Sequence, residues 1–395
     1  MNFYQYIGCD KSEFELAYLE SRLVNEQFHP TLPLAIYSYG RETVHGNKWD
    51  NVTTKCRGIV VNRETDEVVA RPFEKFFNFG QQPIDDENYI WTPPGEPTVW
   101  EKVDGFMCTM YQYNGESYVA SKGSFTSPHA KWATAWYRKN VGFAEGEAVW
   151  PEGYTPVFEG ITPNLRIVVD YGRQEKLVLL ALINIETGEE LDATSLAVWA
   201  KKNGVETAKR FKISMQQAHA ETLNQRPRAN EEGYVLSWSR PGQPPFRLKL
   251  KFIEYLRLHR MVTGVSPKHI LEVLQNGWTT EMDELLNQST PWFNHFVAKW
   301  KTAFEAEYKR LDEAAEAAMG VYRGVLQTQY LSNGILPVRK DWAMLFTRPE
   351  TKEVAAVLFA MMDGKDKSKV IWKMVSDKRA SLTHGQGPMV DALHV

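Results

Sequence analysis

Five residues scattered along this sequence, Lys102, Glu159, Glu232, Lys249 and Lys251, have the types and settings for phosphate chemistry. Glu101-Lys102-Val103-Asp104-Gly105 puts a lysine at the end of a strand-like run, and the Asp-Gly pair behind it forces a turn that can project the side chain into a cleft. Such a lysine is a candidate nucleophile. To attack, the amine must first lose its proton, and lowering its pKa by ~2 to 3 from about 10.4 corresponds to roughly 3 to 4 kcal/mol. Nearby cations and partial burial can supply that. In Arg247-Leu248-Lys249-Leu250-Lys251-Phe252, alternation sends Arg247, Lys249 and Lys251 to one face and Leu248, Leu250 and Phe252 to the other. Lys249 and Lys251 are suitable cations and would also hold a phosphate. The plainer reading of this segment is a solvated edge strand whose lysines deter aggregation.

The acids extend the pattern. Glu159 sits between apolar neighbours in Val157-Phe158-Glu159-Gly160-Ile161 and shares a face with Val157 and Ile161. Buried there unpaired, its charge would be costly, so this face is expected to open onto a polar cleft. Glu232 precedes a second strand-like run, Gly233-Tyr234-Val235. Two or three carboxylates beside a triphosphate point to a magnesium ion held partly through water. A salt bridge to a lysine is the alternative for each acid.

Other routes to similar chemistry lack their motifs. The sequence has no Gly-x-x-x-x-Gly-Lys-Ser/Thr loop, no Gly-x-Gly-x-x-Gly turn, no His-Glu-x-x-His and no Gly-x-Ser-x-Gly elbow.

The elements that must position these residues fall into two regions. With 395 residues, 43% of them hydrophobic, the chain can bury a large core and is long enough for two or three domains. Net charge is −3, so positive charge for a polyanion must be gathered locally. From about Leu34 to Phe252, short strand-like runs broken by turn residues give an α+β pattern, with a helical interlude at Ser195 to Asn203. Lys11 to Gln27 reads as an amphipathic helix offering Phe14, Leu16, Leu19 and Leu23 for burial. Beyond about Glu254 the periodicity turns helical, most clearly at Phe296, Trp300, Phe304, Tyr308, Leu311, Ala315 and Met319, an ordinary buried helix face. Lys299, Lys301, Lys309 and Arg310 lie on a polar face that solvation explains, although phosphate contact is the other reading. The boundaries drawn are 1–255 for the α+β domain and 256–395 for the helical domain, with a loose tail from Thr383. Cys9, Cys56 and Cys108 lack metal or disulfide spacing, and no apolar run spans a bilayer, which suits a soluble cytoplasmic protein.

Taken in order, Lys102-Val103-Asp104-Gly105, Phe158-Glu159-Gly160, Glu232-Gly233-Tyr234-Val235 and Leu248-Lys249-Leu250-Lys251 resemble the motifs of covalent nucleotidyltransferases, the polynucleotide ligases and capping enzymes. A closer resemblance is to the phage RNA ligase 1 family, the tRNA-repair type. It rests on Tyr37-Ser38-Tyr39, Cys56-Arg57-Gly58-Ile59, Arg71-Pro72-Phe73-Glu74-Lys75-Phe76-Phe77-Asn78, Ser121-Lys122-Gly123-Ser124 and Thr162-Pro163-Asn164-Leu165-Arg166-Ile167-Val168. It covers residues 30 to 260 well and the helical remainder only in general character.

That resemblance implies an ATP-grasp-like ligase adenylation fold of antiparallel sheets with flanking helices. It implies an ATP-dependent RNA ligase of bacteriophage type that joins 5′-phosphate and 3′-hydroxyl RNA ends through a lysyl-AMP on Lys102. Lys249 and Lys251 would hold the α-phosphate, and Arg57 and Lys75 the outgoing phosphates. Tyr39, Gly105 and Lys122 complete the nucleotide site, with Phe77 either beside the nucleotide or in the core. Glu159 and Glu232 would share the ribose and a hydrated Mg2+, for which Mn2+ can substitute, and Asp104 would assist the metal. Cleaved tRNA is the expected partner, read by the helical domain, and a monomer is expected. DNA ligases and capping enzymes usually carry a β-barrel after the lysine pair, whereas a helical pattern begins here almost at once. A catalytically silent RNA-binding relative is the remaining alternative.

Overall fold

The computed structural model describes residues 1–81, 93, 95–141, 150–165, 168–223, 230–288 and 291–382. Arg166 and Ile167 of the segment after Pro163, and the tail from Thr383, lie outside the described residues. The chain divides into two compact units, Met1–Arg260 and a second that begins at Met261.

The first unit is α+β. Runs rich in Val, Ile, Tyr and Phe suit a pleated, half-buried surface, and they form three sheets. The first is antiparallel, in the order β1 (Val24–Phe28), β2 (Leu34–Tyr39), β3 (Arg57–Asn62) and β4 (Val68–Ala70). The other two draw on β5 (Phe77–Asn78), β6 (Thr98–Glu101), β7 (Phe106–Tyr113), β8 (Glu116–Ser121), β9 (Tyr154–Ile161) and β10 (Lys176–Asn184). They also use β11 (Glu206–Thr207), β12 (Arg210–Phe211), β13 (Gly233–Arg240) and β14 (Gln243–Lys251). The second sheet runs β11-β10-β9-β7-β8, and the third β12-β6-β13-β14-β5. Only β10–β11 and β14–β5 pair in parallel among the described strands.

Helices cover one face of each of the last two sheets. Phe106, Cys108, Phe158, Leu177 and Leu179 of the second sheet pack on Ala133 and Tyr137 of helix Pro128–Asn140 and on Leu196 and Ala200 of helix Ala193–Lys202. In the third, Val99, Leu236, Leu248 and Leu250 meet Ala218 of helix Met215–Leu223 and Tyr255 of helix Ile253–Gly264. Fully burying a side chain such as Phe158 stabilises the fold by about 1.5–3 kcal/mol. The opposite faces of the two sheets meet where Trp100 and Val103 pack with Ile161, Val178 and Ala208. Beside that apolar patch the candidate residues converge.

The helix expected over Lys11 to Gln27 stops early. The chain makes a short turn at Lys11–Glu13 and a wide one at Phe14–Leu19, Arg22 adopts a φ of 59°, and Val24–Phe28 becomes β1, paired to β2. Phe14 is buried as expected, but Leu16 is 67% exposed. Pairing with β2 outweighs local helical propensity here.

The second unit is helical, with Pro267–Asn276, Thr280–Gln288, the long Pro291–Asn333, Arg339–Phe346, Ala355–Met362 and Lys367–Leu382. The Trp300, Phe304, Leu311, Ala315 and Met319 stripe is its buried face. Arg310 is held by Glu307 and Glu353, and Lys301 lies over the Trp278 ring at 4.0 Å. No helix among the described residues is long and apolar enough to cross a membrane. All three cysteines are buried free thiols.

Candidate active site

Hydrogen bonding on the third sheet brings residues from three segments together. β6 ends at Glu101, and the backbone N–H of Lys102 donates to the Gly233 carbonyl at 2.9 Å, docking the lysine on the first residue of β13. The β13–β14 hairpin pairs Gly233 with Lys251 and Val235 with Lys249. Glu232 therefore lies at the hairpin's open end between two lysines. Its carboxylate meets Lys102 Nζ at 2.6 Å and Lys251 Nζ at 2.9 Å. Leu248, Leu250 and Phe252 are buried on the far face, and β14 is an interior strand rather than a solvated edge.

Glu159 arrives from the second sheet through a glycine contact. A Cβ on Gly105 would stand 2.3 Å from the Gly160 carbonyl oxygen, so only glycine lets the turn after Lys102 lie against β9. Val157 and Ile161 on the same face are buried. Burial pushes the Glu159 carboxyl up to about 7, with Lys102 opposing and Glu232 adding to the rise.

The electrostatics of Lys102 run against the sequence expectation. Burial pulls its ammonium down, but the carboxylates of Glu232, Glu159 and Asp104 outweigh it, and Lys102 is held above the ordinary lysine range. The depressed lysine is Lys249, lowered well below that range by burial and by Arg57, Lys102, Lys75 and Lys251. Glu232, raised by burial, is brought below the usual range by Lys102 and Lys251.

A second group of cations lies on aromatic rings. Lys249 Nζ is 4.5 Å from the Phe76 ring centre, and Arg57 lies over the same ring at 5.4 Å while donating to Met107 Sδ at 3.0 Å. Lys75 Nζ is 4.9 Å from the Trp49 ring, 4.8 Å from Phe77 and 5.9 Å from Tyr39, and Lys122 Nζ is 4.6 Å from Tyr39. Burial lowers both Lys75 and Lys122. Burial would raise the Tyr39 hydroxyl, yet Lys122, Arg57 and Lys75 bring it below its ordinary value. Among the described residues, neither Lys75 nor Lys249 has a carboxylate partner. Half-buried cations without counter-charge make a site for a polyanion.

The acids suit a metal differently from the expectation. Asp104 spends one carboxylate oxygen on the Val168 and Val169 N–H groups, at 2.9 and 2.7 Å, and the other on the Tyr255 hydroxyl at 2.8 Å. Glu232 is taken by two lysines, and no group of three metal-ligating side chains occurs among the described residues. Glu159 is left as the carboxylate of the three with no hydrogen bond among the described residues, which fits a hydrated Mg2+ bound by one carboxylate and by substrate phosphates.

Two residues of the site escape sequence reasoning. Tyr255, one turn into the helix after β14, holds Asp104 and lies 5.1 Å beneath the Lys251 ammonium. Its spacing of four from Lys251 was the available signal. Trp49 gives none, since it sits alone in a polar stretch.

With this geometry in view, the likeness to known proteins is specific. A match to the RNA ligase family covers residues 55–255, just over half of the chain. The chain belongs to the RNA ligase family. Among relatives of this RNA ligase family member, a putative bifunctional polynucleotide kinase/RNA ligase of Autographa californica nuclear polyhedrosis virus is 26% identical over 298 residues, 70% of this chain and 39% of the relative. A putative RNA ligase of Thermovibrio ammonificans is 27% identical over 228 residues, 55% of this chain and 56% of the relative. RNA ligase 1 of bacteriophage TS2126 is 34% identical over 146 residues, 35% of this chain and 36% of the relative. The matches thus span between about a third and just over half of each relative.

Proposed function

We propose that this chain is an ATP-dependent RNA ligase acting through a covalent adenylate on Lys102. The observation that carries the reading is the cluster of Arg57, Lys75 and Lys249 beside Lys102, with no carboxylate facing Lys75 or Lys249 among the described residues. A triphosphate supplies the missing negative charge. Family membership and the likeness to relatives named RNA ligase favour RNA as the second substrate.

In the proposed reaction Lys102 Nζ, after losing its proton, attacks the α-phosphorus of ATP. An N–P bond forms, the bond to the β-phosphate oxygen breaks, and pyrophosphate leaves with that electron pair. Glu232, 2.6 Å away, is the acceptor in contact with the departing proton. Lys249 and Lys251 balance charge developing on the α-phosphate oxygens, while Arg57, Lys75 and Lys122, with Tyr39 and Phe77 beside them, orient the outgoing phosphates. An RNA 5′-phosphate oxygen then takes AMP from the lysine, and a 3′-hydroxyl attacks that activated phosphate and expels AMP. A Mg2+ ion, or Mn2+ in its place, would be held at Glu159 with substrate phosphates and would supply charge stabilisation.

Residues 1–255 are proposed to perform this chemistry and residues 256–395 to read the RNA, with cleaved tRNA as the physiological substrate of a monomeric cytoplasmic repair enzyme. The deciding experiment uses ATP labelled at the α-phosphate. Label is expected on wild-type protein and absent from Lys102→Ala; an unlabelled wild type removes the reading. Equal joining of matched RNA and DNA strands bearing 5′-phosphates would remove the RNA preference.

A further inference from the structure

Trp49 has no place in the motifs, yet it closes the site around Lys75. Its ring meets Tyr39 edge-on at 5.0 Å and Phe77 at 5.5 Å, so three rings bound the Lys75 ammonium. Both Trp49 and Lys75 are tied to one small helix, Asn51–Lys55. Asp50, next to Trp49, caps that helix by accepting from the Thr53 N–H at 2.7 Å, while the Asp50 N–H donates to the Thr53 hydroxyl at 2.8 Å. Tyr18 anchors Asp50 with a hydrogen bond of 3.0 Å. One turn on, the Thr54 carbonyl accepts the Lys75 N–H at 2.8 Å. On the other side, Phe77 pairs with Leu248, and the Phe79 N–H donates to the Lys249 carbonyl at 2.9 Å, so the box is fixed to the strand that carries Lys249.

A lysine on a flexible stem ordinarily finds a carboxylate or bulk water. Lys75 is given ring faces instead, which attract a cation through their quadrupole without neutralising it. Its charge stays available to an incoming anion, and its position is set before that anion arrives.

We propose that Trp49 is a positioning residue that fixes the Lys75 ammonium, together with Tyr39 and Phe77, as a pre-placed cation for the β- and γ-phosphates of the nucleotide. This inference rests on the ligase reading, and it restricts Trp49 to the steps in which those phosphates are present. The final sealing step contains only AMP and RNA and does not need the box.

The test separates π-face from bulk. Trp49→Phe keeps an aromatic face, and Trp49→Leu keeps apolar volume without one. Inorganic tripolyphosphate, titrated calorimetrically into the full chain, is expected to bind about tenfold more weakly to Trp49→Leu, in keeping with the loss of one cation–π contact, and near normally to Trp49→Phe. The KM for ATP in lysine labelling should follow the same order. Sealing of RNA supplied already adenylated at its 5′ end should stay within about twofold of wild type in both variants. Equal tripolyphosphate affinity in all three proteins overturns the proposal, as does an equal fall in binding and sealing, which would mark Trp49 as packing or as an RNA contact. Because tripolyphosphate binding needs no catalysis, failure of the box is distinguishable from failure of the ligase reading, which shows as an unlabelled wild type.

Discussion

Lys102 and Glu232, 130 residues apart in sequence, meet at 2.6 Å, and the second oxygen of the same carboxylate holds Lys251 at 2.9 Å. A single buried acid therefore serves two ammonium groups. Its loss would leave both without that counter-charge in a poorly solvated site.

Glu232→Ala is accordingly expected to lower the stability of the first unit by about 3 kcal/mol, the cost of breaking a buried ion pair from one side. Urea denaturation followed by tryptophan fluorescence reads this. A change below about 0.5 kcal/mol would show that the lysines find other partners or water.

Gly105→Ala tests the contact between the Lys102 turn and β9. The added methyl would fall 2.3 Å from the Gly160 carbonyl oxygen and 3.0 Å from Glu159 Cγ, so the turn and strand must separate. Lysine labelling should fall by about 100-fold, as expected when reacting groups are displaced by about an ångström, while the melting temperature drops by a few degrees. Near-normal labelling would show that the turn is compliant.

The pH dependence of phosphate binding follows from the depressed Lys249. A bound polyanion favours the ammonium form and raises the pKa, so binding takes up a proton wherever the free site has already lost it. Tripolyphosphate affinity should therefore decline as pH rises, beginning well below the ordinary lysine pKa of about 10.4. Lys249→Arg, which stays charged, should flatten the profile. An unchanged slope in that variant would assign the titration to another group.

In the helical unit, hydrogen bonds from Arg310 and Lys378 pull the Glu353 carboxyl down to about 2. A folded-state pKa below the unfolded one stabilises above the unfolded value of about 4.3, and the contribution disappears as pH falls towards the folded one. Glu353 is 46% exposed, so solvent screening limits the effect to less than about 1 kcal/mol. Glu353→Gln should cost that much at neutral pH and almost nothing near about pH 2, as read by denaturant titration at the two pH values.

The sequence was most informative where period and chemistry coincide. Alternation in β14 separated Lys249 and Lys251 from Leu248 and Leu250 because one face of that strand packs into the core. The helical stripe was legible for the same reason at Trp300, Phe304, Leu311, Ala315 and Met319, while Phe296 and Tyr308 at its flanks are only half-buried. Lys102 as an elevated lysine was not, since its ionisation depends on Glu232 and Glu159 from distant segments as well as on neighbouring Asp104, and spacing cannot say whether cations or acids stand nearer. The partners of Asp104 were equally hidden: Val168, Val169 and Tyr255 are brought to its carboxylate by tertiary packing. The strand at Val24–Phe28 was hidden because its partner, not its own composition, decides its form.

The hairpin of β13 and β14 carries Glu232 at its open end and Lys249 and Lys251 on one face. A single deletion inside β14 ahead of Lys249 would slip the pairing by one and rotate every following side chain by half a turn. Leucines would then line the candidate site and lysines would face the oil of the core, so the reading frame of this ribbon, more than any one of its residues, is what the protein can least afford to lose.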